Sequence, residues 1–370
     1  MNSIKGFIKK EFTFSIAFVL TCFSIVLNPN PKTYLGMIDF RVLIILFSLM
    51  GISSALESTG AFNALRDFLL KHCKSERAFA LVMVFLPFFI SALITNDVAL
   101  IIFVPFTLML ASGLISNKKL AILIVLQTIA ANLGSMMLPV GNPQNLFLYT
   151  FYSFDVRTFF RAILPYSSLS ALMLLFCGFL FFDKSEIKAI VKISIVDKKK
   201  AGIFFLLLLF SLLTVFRIVS PYVLLIVSII VFFIFSRDVF FKIDYILLLT
   251  FVCFFLFSGN LSANEGVKEF FTAIINRSAF TVSLITSQII SNVPSAVLLS
   301  QFTNDGVALL KGTNIGGLGT PIASLASLIT IKAYMKDSEN DRKSFFVYFL
   351  ILNISFLLIL CALKVVLDLL

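Results

Sequence analysis

Three polar residues, Thr95, Asn96 and Asp97, stand together in SALITNDVALIIFVP (91 to 105), inside a stretch that is otherwise almost pure hydrocarbon. A second interruption, Ser291-Asn292-Val293-Pro294, divides SAFTVSLITSQIISNVPSAVLLSQF (278 to 302). Two further breaks join small or polar residues to proline, GNP at 141 to 143 and TP at 320 and 321. A helix broken at such points ends in free carbonyls and restarts with unpaired N–H groups. The restarting end carries about half a positive charge and suits an anion. The carbonyl end, joined by Asn amide and Ser/Thr hydroxyl oxygens, offers hard ligands suited to sodium. Asn96 or Asp97 would cap the first restart, and Pro294 is placed for the first turn of the second. Asn96 and Asn292 are therefore binding candidates.

The elements that must position these residues are membrane helices. Hydrophobic residues make up 59% of the 370 and charged ones 13%, with mean hydropathy +1.05. A soluble core cannot absorb that much apolar surface, so the chain reads as an all-α polytopic membrane protein. In that setting Asp97 has two readings, a cap that stabilises its helix or an ion or proton site; an intramembrane carboxylate is functional by default, which favours the second. The net charge of +11 lies mostly in loops such as DKKKAG (197 to 202) and reads as topology signals, not nucleic-acid binding. His72, between Lys71 and Lys74, reads as a solvated residue. The five cysteines show no CxxC or His/Cys spacing and read as small hydrophobes. No GxxxxGK[ST] or HExxH occurs, and no span carries paired aspartates, so neither a self-contained ATP-driven pump nor an intramembrane enzyme is indicated. A channel is the rival class, because half-helices also build pores.

A helix needs about 20 residues to cross the roughly 30 Å hydrocarbon layer. Nine spans are predicted near 12 to 27, 42 to 56, 120 to 152, 159 to 182, 201 to 216, 221 to 235, 243 to 258, 314 to 335 and 344 to 367. The opening MNSIKGFIKKEF imitates a signal peptide, but NPNPKT offers no small-residue cleavage site, so 12 to 27 is read as a span. Residues 77 to 115 and 277 to 302 do not fit as single crossings and are predicted to be re-entrant hairpins, with tips at 94 to 97 and 290 to 294. Non-helical backbone at that depth is tolerated only where protein or a water-filled cavity covers it. With both hairpins returning to their own side and the N-terminus cytoplasmic, 21 of the 30 lysines and arginines fall inside and the C-terminus outside.

Set without gaps, NLGSMMLPVGNPQNL (132 to 146) matches NIGGLGTPIASLASL (314 to 328) at Asn132/Asn314, Gly134/Gly316, Pro139/Pro321 and Leu146/Leu328. Each half runs as a span, an amphipathic segment, an Asn-tipped hairpin, a Gly/Pro-broken span (120 to 152, 314 to 335) and a closing span. The amphipathic segments carry Ala61, Phe62, Leu65, Phe68 and Leu69, and Val267, Phe270, Phe271, Ile274 and Ile275, at helical spacing. The predicted organisation is a first repeat with its cytoplasmic loop over 1 to 200, then a connector helix and an inverted second repeat over 201 to 370. Inverted repeats with broken helices at matching places are the pattern of secondary transporters.

TNDVALIIFVP, NLGSMMLPVGNPQNL and SNVPSAVLL resemble the ion transporter superfamily that includes the divalent anion:sodium symporters, the arsenite permeases and the citrate-transporter-like anion permeases, most of all the last. The resemblance covers nearly the whole chain. It implies substrate and sodium contacts at the hairpin tips, here Thr95-Asn96-Asp97 and Ser291-Asn292-Val293, where the symporters carry Ser-Asn-Thr. It also implies an ion-site hydroxyl four residues before each tip, matching Ser91 and Ser287. The small residue and Thr-Pro-Pro of the broken spans fall on Gly141-Asn142-Pro143-Gln144 and Ala323-Ser324-Leu325-Ala326. Substrate binding is thus expected from Thr95, Asn96, Asp97, Asn142, Ser291, Asn292 and Ser324, and ion coupling from Ser91, Asn96, Asp97, Gly141, Ser287, Asn292 and Ala323. The Asn-Asp tip looks like the arsenite permeases and proton-coupled relatives; a carboxylate there repels a dianion unless a cation or proton neutralises it.

The expected function is secondary active transport of a small inorganic or carboxylate anion across the cytoplasmic (inner) membrane, coupled to sodium or protons, with the repeats moving past each other about a midplane site. The alternative is an arsenite-type efflux permease, which can recruit a separate ATPase subunit, or a sodium/proton antiporter with Asp97 as ion carrier. No cofactor beyond the coupling ion is expected. The resemblance implies a homodimer, and the lipid bilayer is the remaining partner. A cysteine placed at Lys199 should react with a membrane-impermeant thiol reagent only from the cytoplasmic side; labelling from outside would reverse the orientation.

Overall fold

A computed structural model of the chain describes residues 12–27, 29–61, 64, 73–111, 115–186, 196–335 and 341–369 as seventeen α-helices and one short 3-10 turn, with no strand among the described residues. In chain order the helices are α1 (Phe12–Leu27), α2 (Pro31–Met37), α3 (Phe40–Ser58), α4 (Glu76–Ile94), α5 (Asn96–Ala111), α6 (Asn117–Ser135), α7 (Pro143–Phe151), α8 (Val156–Phe181) and α9 (Lys198–Val215). They continue with α10 (Pro221–Phe235), α11 (Tyr245–Ser262), α12 (Glu265–Ile275), α13 (Ala279–Ile290), α14 (Asn292–Ser300), α15 (Gly306–Ile315), α16 (Leu325–Met335) and α17 (Arg342–Leu369). Many starts are set locally by a capping side chain. Asp39, Ser75, Ser116, Asp155, Asp197, Asp244, Ser278 and Asp305 each accept from the backbone N–H three residues on.

Helices α3, α4, α6, α8 and α17 are individually long and apolar enough to cross a membrane, while α1, α5, α10, α11 and α16 contain shorter apolar helices. The first hairpin is α4 and α5, folded back against each other, and the second is α13 and α14. Their arms are unequal: α4 has 19 residues and α13 only 12. The second amphipathic segment forms α12, from which the chain bends by 111° into α13. Phe270 is exposed, while Ile275 is buried and Phe271 stacks on Phe302. Residues 62, 63 and 65–72 of the first segment, including His72, lie outside the described residues.

Equivalent contacts recur in the two halves. Helix α1 packs on α11 and α10 on α3; α4 packs on α6 and α13 on α15; α7 packs on α14 and α16 on α5. Close approach at glycine permits the hairpin contacts. A Cβ on Gly134 of α6 would stand 1.9 Å from the Phe88 carbonyl oxygen of α4, and one on Gly312 of α15 would stand 2.0 Å from Ser283 Oγ of α13. Helix α6 lies at the centre, almost wholly buried, whereas well under half of α8 and of α17, at the periphery, is buried.

Three of the basic segments that the charge pattern assigns to one side, 57–77, 118–119 and 184–200, have described residues in contact with one another. Lys119 Nζ lies 2.6 Å from both Glu76 Oε1 and Asp183 Oδ2. The Lys119 hydrogen bond holds the Asp183 carboxyl below the ordinary carboxylate range. The Asp197 N–H donates to the Thr59 carbonyl at 3.1 Å.

Two boundaries differ from expectation. Asn96 and Asp97 do not cap α5, because the helix already runs through both and the turn is the single residue Thr95. The second broken element begins at Gly306, not at 314, and restarts after Ser324, not at Thr320-Pro321. Gln288 explains the second shift: its Nε2 donates to the Gly316 and Leu318 carbonyls at 2.7 and 2.9 Å, and its Oε1 accepts the Thr320 N–H at 2.9 Å. With Gly319 at φ +103°, that stretch is held as a turn, and Pro321 falls within it.

Gly134→Ala should lower stability in detergent by about 1–3 kcal/mol through overpacking. Gly202→Ala, inside α9 with nothing within 4 Å of the added methyl, should melt at or slightly above the parent. Equal melting of all three proteins would show that α4 and α6 do not approach this closely.

Candidate functional site

The two hairpin tips share an unusual backbone geometry. Thr95 lies at φ 87°, ψ 148° and Ser291 at φ 78°, ψ 156°. This region is close to glycine-only, costs about 1–3 kcal/mol per residue, and persists only where the surroundings over-determine it. Each tip is fixed by one peptide hydrogen bond to a helix break. The Asn96 N–H donates to the Gly141 carbonyl at 3.1 Å, and the Asn292 N–H donates to the Ala323 carbonyl at 2.9 Å. Gly141 stands just before α7 and Ala323 just before α16, so all four restarting helix ends come together.

GNP behaves as its sequence suggests. Asn142 caps α7, its Oδ1 accepting the Asn145 N–H at 2.9 Å, with Pro143 in the first turn. Ser324 does the same for α16, its Oγ accepting the Ser327 N–H at 3.2 Å. Both caps are also bound from the other half of the chain. Asn132 Nδ2 donates to Ser324 Oγ at 3.1 Å, and Asn142 Nδ2 donates to Asn314 Oδ1 at 3.2 Å. Asn314 Nδ2 donates in turn to Asn145 Oδ1 at 2.6 Å, and Thr128 Oγ1 to Thr330 Oγ1 at 3.0 Å. Asn96 Nδ2 donates to Asn132 Oδ1 at 3.0 Å. A path of polar contacts therefore runs from Asn96 through Asn132 and Ser324 to Ala323 and the Asn292 N–H.

The tips differ in their side chains. Asn292 Oδ1 turns back to accept its own neighbour's Val293 N–H at 2.9 Å, and a Cβ on Gly317 would stand 2.8 Å from Asn292 Nδ2. Ser291 Oγ donates toward Asn292 Oδ1 at 3.3 Å. Asn96 instead reaches across to Asn132, and beside it Asp97 occupies the first turn of α5, where the helix dipole favours a carboxylate. At the first tip and the break it meets, the buried oxygens Asn96 Oδ1, Asp97 Oδ1 and Gln144 Oε1 have no protein partner. Oxygen acceptors of this kind fit a hard cation. Ser91 and Ser287 are fully buried one turn before the tips and donate back to their own helices, to Phe88 O at 3.1 Å and Ser283 O at 2.7 Å.

Every site residue expected from the sequence thus lies at a tip, in the turn before it or at a break. Asn132, Asn145, Asn314, Gln144 and Gln288 were not among those candidates. The identity of Asn132 with Asn314 in the repeat alignment is the signal that pointed to two of them; Gln288 carries none, being one amide on an apolar helix. Among the described residues no group of three His, Cys, Asp or Glu could hold a metal.

Residues 7–304 match the model of the citrate transporter family. The chain is 34% identical over 319 residues to an uncharacterized transporter of Methanocaldococcus jannaschii, covering 86% of this chain and 87% of that one. It is 28% identical over 317 residues to the inner membrane protein YbiR of Escherichia coli, covering 85% and 83%. Among solved structures, the YdaH transporter of Alcanivorax borkumensis superposes with a TM-score of 0.49 at 13% identity over 94% of this chain and 96% of that one.

A double-mutant cycle should expose the contact between the halves. Asn132→Ala and Ser324→Ala should each cost about 1–3 kcal/mol of stability. The double variant should be less destabilised than the sum by about 0.5–3 kcal/mol. Strict additivity would mean that the two side chains do not touch.

Proposed function

Because the chain belongs to the citrate transporter family, we propose that this integral membrane transporter moves a small inorganic or carboxylate anion by alternating access, coupled to sodium or protons. The observation that supports this reading is the polar path joining Asn96, Asn132, Ser324, Ala323 and Asn292, which gathers four helix N-termini into one buried region. Those ends favour negative charge. Beside them, the unpartnered oxygens of Asn96, Asp97 and Gln144 supply ligands for a coupling cation. Thr95, Asn96, Asn142, Ser291, Asn292 and Ser324 are proposed to orient the anion, with Ser91, Gly141, Ser287 and Ala323 shaping the ion sites.

The recurrence of the same helix contacts in both halves supports two repeats, 1 to 200 and 201 to 370, each with a re-entrant hairpin and a broken helix. Because Asn132–Ser324, Asn142–Asn314 and Thr128–Thr330 bind the halves together, we place the moving boundary elsewhere than between repeats. The hairpins and broken helices of both halves travel as one body against a frame of α1, α3, α10 and α11. The N-terminus lies in the cytoplasm and the C-terminus outside.

Asp97 favours a second reading, cation exchange or arsenite-type efflux with Asp97 as the ion carrier, since its carboxylate has no counterpart at Val293. Thermal stability measured with citrate, succinate, sulfate, phosphate or arsenite, with and without sodium and across pH, separates the two. An anion at 100 times its dissociation constant adds roughly 2.7 kcal/mol. The first reading expects stabilisation by one anion that depends on sodium or pH; stabilisation by sodium or pH alone supports exchange. Asn96→Ala and Asn292→Ala should each abolish transport with membrane insertion intact, and normal uptake in either removes that hairpin from the site. Asp97→Asn should change the sodium or pH dependence, and an unchanged dependence would remove Asp97 from coupling.

A further inference from the structure

Away from the tips, a cavity of about 390 Å³ opens where the start of α4 meets the end of α8. Three cations line it, Lys74, Arg77 and Lys184, against one carboxylate, Glu186. Two further acids stand on the same wall: Glu76 and Asp183 both pair with Lys119, and Asp183 also lies within electrostatic reach of Arg77. The wall is held by backbone: the Glu76 N–H donates to the Ser185 carbonyl and the Arg77 N–H to the Asp183 carbonyl, each at 2.9 Å. Arg77 Nε donates to the Phe182 carbonyl at 2.9 Å, and its guanidinium lies over the Phe179 ring, 5.0 Å from the centroid. These contacts orient the Arg77 guanidinium without neutralising its charge.

The floor is apolar and continuous with a lipid-facing surface. Leu81 and Phe179 line the cavity, and Phe179 is 52% exposed, followed along α8 by the exposed Phe176 and Leu172. The cations therefore stand at the end of a long apolar face, at the level where phospholipid headgroups meet hydrocarbon.

We infer that this cavity binds the headgroup of one anionic phospholipid, its phosphate held by Lys74, Arg77 and Lys184 and an acyl chain lying on Leu81 and Phe179. Charge complementarity and the apolar floor together select a lipid over a free anion. The site is separate from the hairpin tips, so it stands whatever the transported substrate proves to be.

The full-length protein in a neutral detergent would be titrated with phosphatidylglycerol, phosphatidylcholine and inorganic phosphate, with bound lipid counted by native mass spectrometry. Phosphatidylglycerol should bind in preference to phosphatidylcholine. The variants Lys74→Gln and Lys184→Gln, on exposed side chains, should each weaken it about fivefold. Lys242→Gln, at a distant loop, should leave binding unchanged. Equal binding of the two lipids, or no loss in the Lys74→Gln/Lys184→Gln double variant, overturns the proposal. Inorganic phosphate competing as well as the lipid does would make this a free-anion site and likewise overturn it.

Discussion

A helix broken inside hydrocarbon leaves backbone groups that water cannot reach, and each must find a partner within the protein. Here one peptide bond at each hairpin tip meets one carbonyl at a broken helix, Asn96 N–H to Gly141 O and Asn292 N–H to Ala323 O. That pairing fixes how far each hairpin enters the fold, and it brings the restarts of α5, α7, α14 and α16 together. The positive φ of Thr95 and Ser291 follows from it, because the chain must reverse within one residue to deliver the next N–H to its acceptor. Gly134 and Gly312 supply the clearance that the hairpin arms need, and Gly141 lets its own break close on the Ser135 carbonyl.

On this shared backbone frame the two halves carry different side-chain chemistry. Asn96 spans to the other half through Asn132, whereas Asn292 folds back on its own peptide. The carboxylate of Asp97 belongs to the first half alone. A site with matching backbone ends but unequal side chains can bind two different species at once, one favoured by dipoles and one by oxygen ligands. That division suits a carrier whose cargo and coupling ion have opposite charge.

Much of this arrangement was legible in the sequence because breaks in apolar runs are loud signals. The tips at 94 to 97 and 290 to 294 contain the observed turns, and the Asn142-Pro143 restart is where GNP places it. Three features were not legible, for physical reasons. The turn falls on Thr95 rather than on an asparagine cap because a long-range acceptor, Gly141, sets its geometry. The second restart is displaced from Thr320-Pro321 to Ser324 because Gln288, far off in sequence, holds the preceding turn. The hydrogen bonds between halves depend on packing that a repeat alignment does not encode, although the alignment marked Asn132 and Asn314 as equivalent. Local propensity sets where a helix can stop; distant partners decide where it does.

The central position of α6 bears on how the chain is made. Helix α6 is almost wholly buried, yet it is much less apolar than α4 or α17. Lys118 and Lys119 begin it, and Gln127, Thr128 and Asn132 lie along it. Such a segment gains little from lipid and much from the hairpin beside it, where Gln127 Nε2 donates to the Met83 carbonyl at 2.7 Å and to Thr107 Oγ1 at 2.8 Å. During synthesis, then, the strongly apolar α4 and α5 can settle first and offer α6 a proteinaceous surface to enter against. Such an order would carry the core from strongly apolar helices toward a polar one, and the helix on which the site depends is among the least suited to lipid by composition.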